Sequence, residues 1–142
     1  MEAMRTLADD LDAELAVLWR ALGRAGHGEL SRTAASVLAT LRDAGPQRIT
    51  ALAAAEAVAQ PSMTTLVGRL ERDGLAERID DPTDARAVLA RVTDRGRERL
   101  EARRAVRTAR LQERLEALDP DERGALAAAL PVLRKLTEGS LS

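Results

Sequence analysis

The chain has 142 residues, 45% hydrophobic and 32% charged, enough for one folded domain and too apolar for a disordered chain. It has no cysteine, which excludes disulfides, thiolate zinc sites and cysteine nucleophiles; its net charge of −1 excludes nucleic-acid binding through a general positive field. No apolar run approaches the ~20 residues of a membrane span, and the start MEAMRTLADDLD is too acidic for a secretory signal, so a soluble cytoplasmic protein is expected.

Ala, Leu and Arg dominate, Phe and Tyr are absent, and Trp19 is the only aromatic residue. Strong helix formers predict a mainly α fold whose core is filled by Leu, Val, Ile and Met. Residues 5–22 space Leu7, Leu11, Leu15, Leu18 and Leu22 three or four apart, a helix with one leucine seam. GRAGHG, residues 23–28, breaks it. Ser31 is placed to cap a second helix whose apolar side is Val37, Leu38 and Leu41, and Gly45-Pro46 ends it. Thr50 is placed to cap a short alanine-rich helix over 51–57. Pro61 suits the first turn of a fourth helix that runs to about Asp73 and stops at Gly74. The period then changes to two: residues 75–79 and 87–93 predict a β-hairpin around DDPTDAR. Thr93-Asp94 opens a long helix to about Leu118, and after Asp119-Pro120 a last helix carries Leu126, Leu130, Leu133 and Leu136. Repeats and low-complexity linkers are absent.

The fourth helix has two distinct faces. Met63, Leu66, Val67 and Leu70 form an apolar side, while Thr64, Thr65, Gly68, Arg69 and Arg72 form a small and basic one. Two short helices joined by a tight turn, the second shaped this way, are the pattern of a helix-turn-helix. Small residues let such a helix sit deep in a major groove, where arginines reach guanine edges or phosphates and threonines reach phosphates or thymine methyls. Alone, the same pattern also describes an amphipathic helix with a solvated face. The hairpin that follows, placed as a wing against the minor groove, favours the DNA-reading alternative.

Residues 48–100, RITALAAAEAVAQPSMTTLVGRLERDGLAERIDDPTDARAVLARVTDRGRERL, resemble the winged helix-turn-helix of the MarR family of bacterial transcription regulators. PSMTTLVGRLERDGL, the wing DPTDAR and the VTDRG that opens the next helix carry the resemblance. It implies a mainly α fold with a small β-hairpin wing: residues 31–93 as the winged helix-turn-helix, and residues 1–30 and 94–142 as a helical dimerisation region, in one continuous domain. It further implies a homodimer on a pseudo-palindromic operator of double-stranded DNA, and repression relieved by a small aromatic or amphipathic ligand. The DNA-contacting candidates are Ser62, Thr64, Thr65, Arg69, Arg72, Asp84 and Arg86. Ala57 and Ala59 stand where the family commonly has a turn glycine and a capping serine, and Thr65 where a basic residue is frequent.

Three readings compete for DDPTDAR. A calcium loop would need an oxygen ligand at its third position, glycine at its sixth and glutamate at its twelfth; counted from Asp80 these are Pro82, Ala85 and Arg91. A solvated turn fits the Asp-Pro and Asp residues. The resemblance implies a device in which Asp84 fixes the Arg86 guanidinium for the minor groove, while Asp80 and Asp81 point away or pair with arginines such as Arg78.

Leu7, Leu11, Leu15, Leu18, Leu126, Leu130, Leu133 and Leu136 are the expected dimer seam, an intramolecular bundle being the alternative. Trp19, Leu15 and Leu38 are the candidate ligand-pocket residues, with an interface role the commoner one for Trp19. The arginines of 97–116 fit a solvated helix with Glu–Arg pairs. His27, the only histidine, supports neither a zinc site nor a nucleophile–histidine–carboxylate set, so no metal, no cofactor and no enzymatic activity are expected. The rival function is a winged-helix module that binds protein in place of operator.

Overall fold

In the computed structural model, which describes residues 1–23 and 30–138, the elements run α1 (Glu2–Leu22), α2 (Arg32–Ala44), β1 (Gln47–Arg48), α3 (Ile49–Ala55), α4 (Gln60–Arg72), β2 (Ala76–Asp81), β3 (Asp84–Val92), α5 (Asp94–Glu116) and α6 (Pro120–Glu138). The predicted helices and hairpin are all present. Most of the glycine-rich break after Gly23, with His27, lies outside the described residues. The chain divides into two compact units, residues 1–105 and 106–142.

Caps and stops are largely those the residues announce. The Ser31 hydroxyl accepts the Ala34 N–H at 3.1 Å, and Gly45 ends α2 at φ +82°. Gly74, at φ +72°, turns the chain out of α4. Thr50 does not cap α3. The helix starts two residues earlier, at Ile49, because Arg48 leaves β1 with extended dihedrals and takes the N-cap position without a side-chain bond. The third strand was not anticipated: β1 is only two residues long, too short for any period, yet it pairs with β3 to give the antiparallel order β1-β3-β2.

One core unites α2, α3, α4, the sheet and the start of α5. Val37, Leu38 and Leu41 from α2, Leu52 from α3, Met63, Val67 and Leu70 from α4, Leu75, Ala90 and Val92 around the sheet and Leu100 from α5 all pack into it. Isoleucine takes no fully buried place: Ile49 is only partly buried against this cluster, and alanines fill the tight positions. The apolar face of α4 is therefore locked inward, and its other face is held outward with little freedom to rotate.

The turn between α3 and α4 carries local strain. Ala57 has φ +52°, the one positive-φ non-glycine residue among those described, and Ala59 occupies the N-cap of α4 without a side-chain bond. A Cβ in the left-handed region costs about 1 kcal/mol, and a missing cap about as much. Ala57→Gly and Ala59→Ser are each expected to raise the unfolding free energy by about 1 kcal/mol. Urea denaturation of the two variants checks this, the midpoint rising while the slope stays the same.

Candidate nucleic-acid interface

The outward face of α4 follows from the inward one. With Met63, Val67 and Leu70 buried, Ser62, Thr65, Arg69 and Arg72 fall at spacings of three, four and three along the exposed side, and Thr64 lies beside them. Gly68 has open space where a Cβ would stand, so this face is shallow at its middle. The Thr64 and Thr65 hydroxyls donate to the carbonyls of Gln60 and Pro61, each at 3.0 Å. Their protons are thus used within the helix, which leaves methyl groups and oxygen lone pairs for a ligand.

The wing shows why its residues are arranged as they are. β2 and β3 pair regularly from Ala76–Val92 to Asp80–Val88, and the next pair is Asp81–Asp84. Ala85, Arg86 and Ala87 therefore have no partner on β2, and the strand bulges outward at Arg86. The turn itself is set by Asp81, whose Oδ1 accepts the Thr83 N–H at 2.9 Å and the Thr83 hydroxyl at 2.7 Å. The observed strands consequently run closer to the tip than the expected 75–79 and 87–93.

Two expectations for the wing need correction. Asp84 does not fix the Arg86 guanidinium; its Oδ1 accepts the Arg86 backbone N–H at 3.0 Å and so holds the bulge from which the side chain projects. Arg78 does not pair with Asp80 or Asp81. It hydrogen-bonds Glu71 at the end of α4, because alternation along β2 turns it towards that helix. Asp81 is met by Arg48 of β1 instead.

Arg48, Arg78 and Arg91 are each held by a carboxylate of the sheet or of α4. Arg69, Arg72 and Arg86 are exposed and form no ion pair among the described residues. Even with a net charge near zero, α4 and the wing thus present uncommitted guanidinium groups.

Asp81 is the only charged side chain buried among the described residues. The Thr83 N–H, then the Thr83 hydroxyl and then Arg48 hold its carboxyl down to about 2. A carboxyl that is more acidic folded than unfolded stabilises the wing fully above about pH 4, and that contribution fades as pH falls towards 2. The stability difference between the native chain and Asp81→Asn is accordingly expected to be constant from pH 5 to 7 and to shrink below pH 4, as read by urea unfolding at each pH.

Thr93 and Gly96 are the residues whose purpose only the structure explains. The Thr93 hydroxyl donates to the Gly74 carbonyl at 2.6 Å and accepts the Gly96 N–H at 3.1 Å, so it caps α5 and ties it to the end of α4. Of the candidate pocket residues, Leu38 is fully buried in the core and presents no surface to a ligand. Leu15 is exposed on α1, and Trp19 is partly exposed with its ring 5.6 Å from the Arg32 guanidinium. An open cleft of about 530 Å³ lies elsewhere, lined by Leu30 and Ala34, by Thr65, Leu66 and Arg69 of α4, and by Arg99 of α5. The seam leucines Leu7, Leu15, Leu18, Leu126, Leu130, Leu133 and Leu136 are exposed in the single chain, and Leu11 is half-buried. Among the described residues no three His, Asp or Glu side chains converge as metal ligands, and no helix is long and apolar enough to cross a membrane.

The model of the MarR family matches residues 30–88. The chain is 36% identical to an HTH-type transcriptional regulator of Mycobacterium tuberculosis over 135 residues, covering 94% of each protein. Among solved structures, a regulator from Pseudomonas aeruginosa PA01 is similar at 30% identity with a TM-score of 0.81, over 96% of this chain and 97% of that one. BpsR of Bordetella bronchiseptica, whose DNA binding is regulated by 6-hydroxynicotinic acid, is similar at 26% identity and a TM-score of 0.56, over 94% and 91%.

Proposed function

Because this chain belongs to the MarR family of helix-turn-helix transcription regulators, which are not enzymes, we propose that it acts in the cytoplasm as a homodimeric repressor released by a small aromatic or amphipathic ligand. In this reading residues 31–93 form the DNA-binding region, and residues 1–30 and 94–142 form the dimerisation region. Each protomer lays α4 in a major groove, with Ser62, Thr64, Thr65, Arg69 and Arg72 against bases and phosphates, and extends Arg86 of the wing into the flanking minor groove. Successive half-sites of a pseudo-palindrome lie one helical turn apart.

One observation supports this reading above the others. Arg69 and Arg72 on the exposed line of α4, and Arg86 on the bulged wing, have no ion-pair partner among the described residues, whereas Arg48, Arg78 and Arg91 of the sheet do. These three guanidinium groups are thereby available to bases and phosphates. The cleft beside Thr65 and Arg69 is the preferred effector site, since a ligand there would share a wall with the reading face. The regulation of BpsR by an aromatic acid supports that ligand class.

Selection of bound duplexes from a random pool at near-physiological salt tests the proposal. Enrichment of a palindrome with half-sites about one helical turn apart is the expected result. Weak, salt-sensitive binding without enrichment would reject operator reading and favour the protein-binding module. On the enriched operator, Arg69→Ala should cost about 1–3 kcal/mol and relax preference at one base position.

A further inference from the structure

The wing tip hangs beyond the regular ladder. After Asp80–Val88 the strands are joined only by the Asp81–Asp84 pair, and the three residues of the bulge contribute no cross-strand bonds to β2. Something other than the sheet must fix the tip relative to α4. We infer that Arg48 is a positioning residue for DNA reading: from β1 it clasps Asp81 and sets the pose in which the wing presents Arg86. The inference rests on the proposed contact between the wing and DNA.

The clasp has a connected geometry. Arg48 ends β1, pairs there with Leu89 and stands directly before α3, so its backbone belongs to the helix-turn-helix and not to the wing tip. Its Nε and one terminal nitrogen donate to Asp81 Oδ2 at 3.2 and 2.8 Å. The same nitrogen lies 3.8 Å from Asp84 Oδ2. Asp81 uses its other oxygen to shape the turn through Thr83, and Asp84 uses its other oxygen to hold the Arg86 N–H. One guanidinium thus faces both carboxylates that bracket the turn, and each carboxylate also grips the wing backbone.

The electrostatics point the same way. A tip with Asp80, Asp81 and Asp84 would repel phosphate if all three carboxylates were uncompensated. Arg48 neutralises the buried one and faces the second, which lowers the negative charge the tip would otherwise present beside Arg86. Removing Arg48 would leave a nearly buried carboxylate without its cation, and the tip would rearrange to hydrate it.

The test is a double-mutant cycle in the full chain on its selected operator, in A·T-rich and G·C-rich flanking sequence. Arg48→Ala is expected to weaken binding roughly fivefold, to abolish the preference between flanks, and to add nothing once Arg86→Ala is present. Arg48→Lys, which keeps the charge without the two-pronged donor, should fall between native and alanine. Additive losses in the cycle with flank preference retained would mean that Arg48 itself contacts phosphate and would overturn the inference. Lower thermal stability with affinity and flank preference unchanged would reduce the clasp to a structural pair and overturn it as well. If the native chain enriches no operator, the functional reading fails first, and amide hydrogen exchange decides the clasp. Faster exchange at Thr83 and Arg86 in Arg48→Ala, with core amides unchanged, upholds it; unchanged exchange at those two amides removes it.

Discussion

Gly96→Ala should lower the stability of the winged region by about 3 kcal/mol, with a fall of roughly 10 °C in the melting temperature. A Cβ built on Gly96 would stand 2.2 Å from the Leu75 carbonyl oxygen and 2.8 Å from Val92 Cγ2. The first of these is backbone, and it is not free to retreat. The Leu75 carbonyl accepts the Thr93 N–H at 3.1 Å, and the Thr93 hydroxyl binds the Gly74 carbonyl and the Gly96 N–H. Alanine would therefore push the start of α5 away from the junction of α4 and β2 and break several bonds together. Gly124 is the control. It lies on the exposed side of α6 with open space at its Cβ, so Gly124→Ala should raise stability by roughly 0.5–1 kcal/mol through helix propensity alone. Thermal unfolding followed by circular dichroism separates the two signs. Equal effects at both positions would show that the close approach at Gly96 is not what its glycine serves.

The same residue marks the boundary of what the chain discloses before it folds. Ser31, Gly45 and Gly74 are readable because the partner of each lies within a few residues: a cap, a stop, a turn. The two faces of α4 are readable because a period of 3.6 sorts Met63, Val67 and Leu70 from Arg69 and Arg72 without knowledge of the rest of the fold. Gly96 is different. Its neighbour Leu75 is distant in sequence, so local pattern supplies no reason for glycine, and VTDRG stands out only through resemblance to other proteins. Arg48 failed to stand out for the same reason. It reads as an unremarkable residue before a helix, and its function depends on Asp81, 33 residues away. Asp84 shows a subtler loss. Its association with Arg86 was legible, but a spacing of two cannot say whether a carboxylate will take a guanidinium or a backbone N–H, and the bulge decided for the backbone. Thr50 was misread because the competing constraint, two residues of strand pairing with β3, is non-local and too short to leave a periodic trace.

Substitution of Leu130 by aspartate should separate the protomers and reduce operator affinity by about a hundredfold or more. The side chain is 51% exposed in the single chain, so the new charge opens no cavity in its own fold. α6 has no buried residue at all, and the one buried residue of α1 is Leu22. Each helix thus carries an apolar face that its own chain leaves uncovered, a surface that soluble monomers rarely keep in contiguous form. On the proposed reading the partner protomer covers these faces, and a carboxylate placed there would have to be desolvated without a counter-ion. A separated protomer would hold one half-site only and lose the effective concentration that links the second α4 to the first. Sedimentation at micromolar concentration and operator titration give independent answers. A dimer that survives Leu130→Asp would place the seam elsewhere. A monomer with unchanged affinity would mean that a single α4 and its wing read the whole site, and the palindromic operator would have to be abandoned.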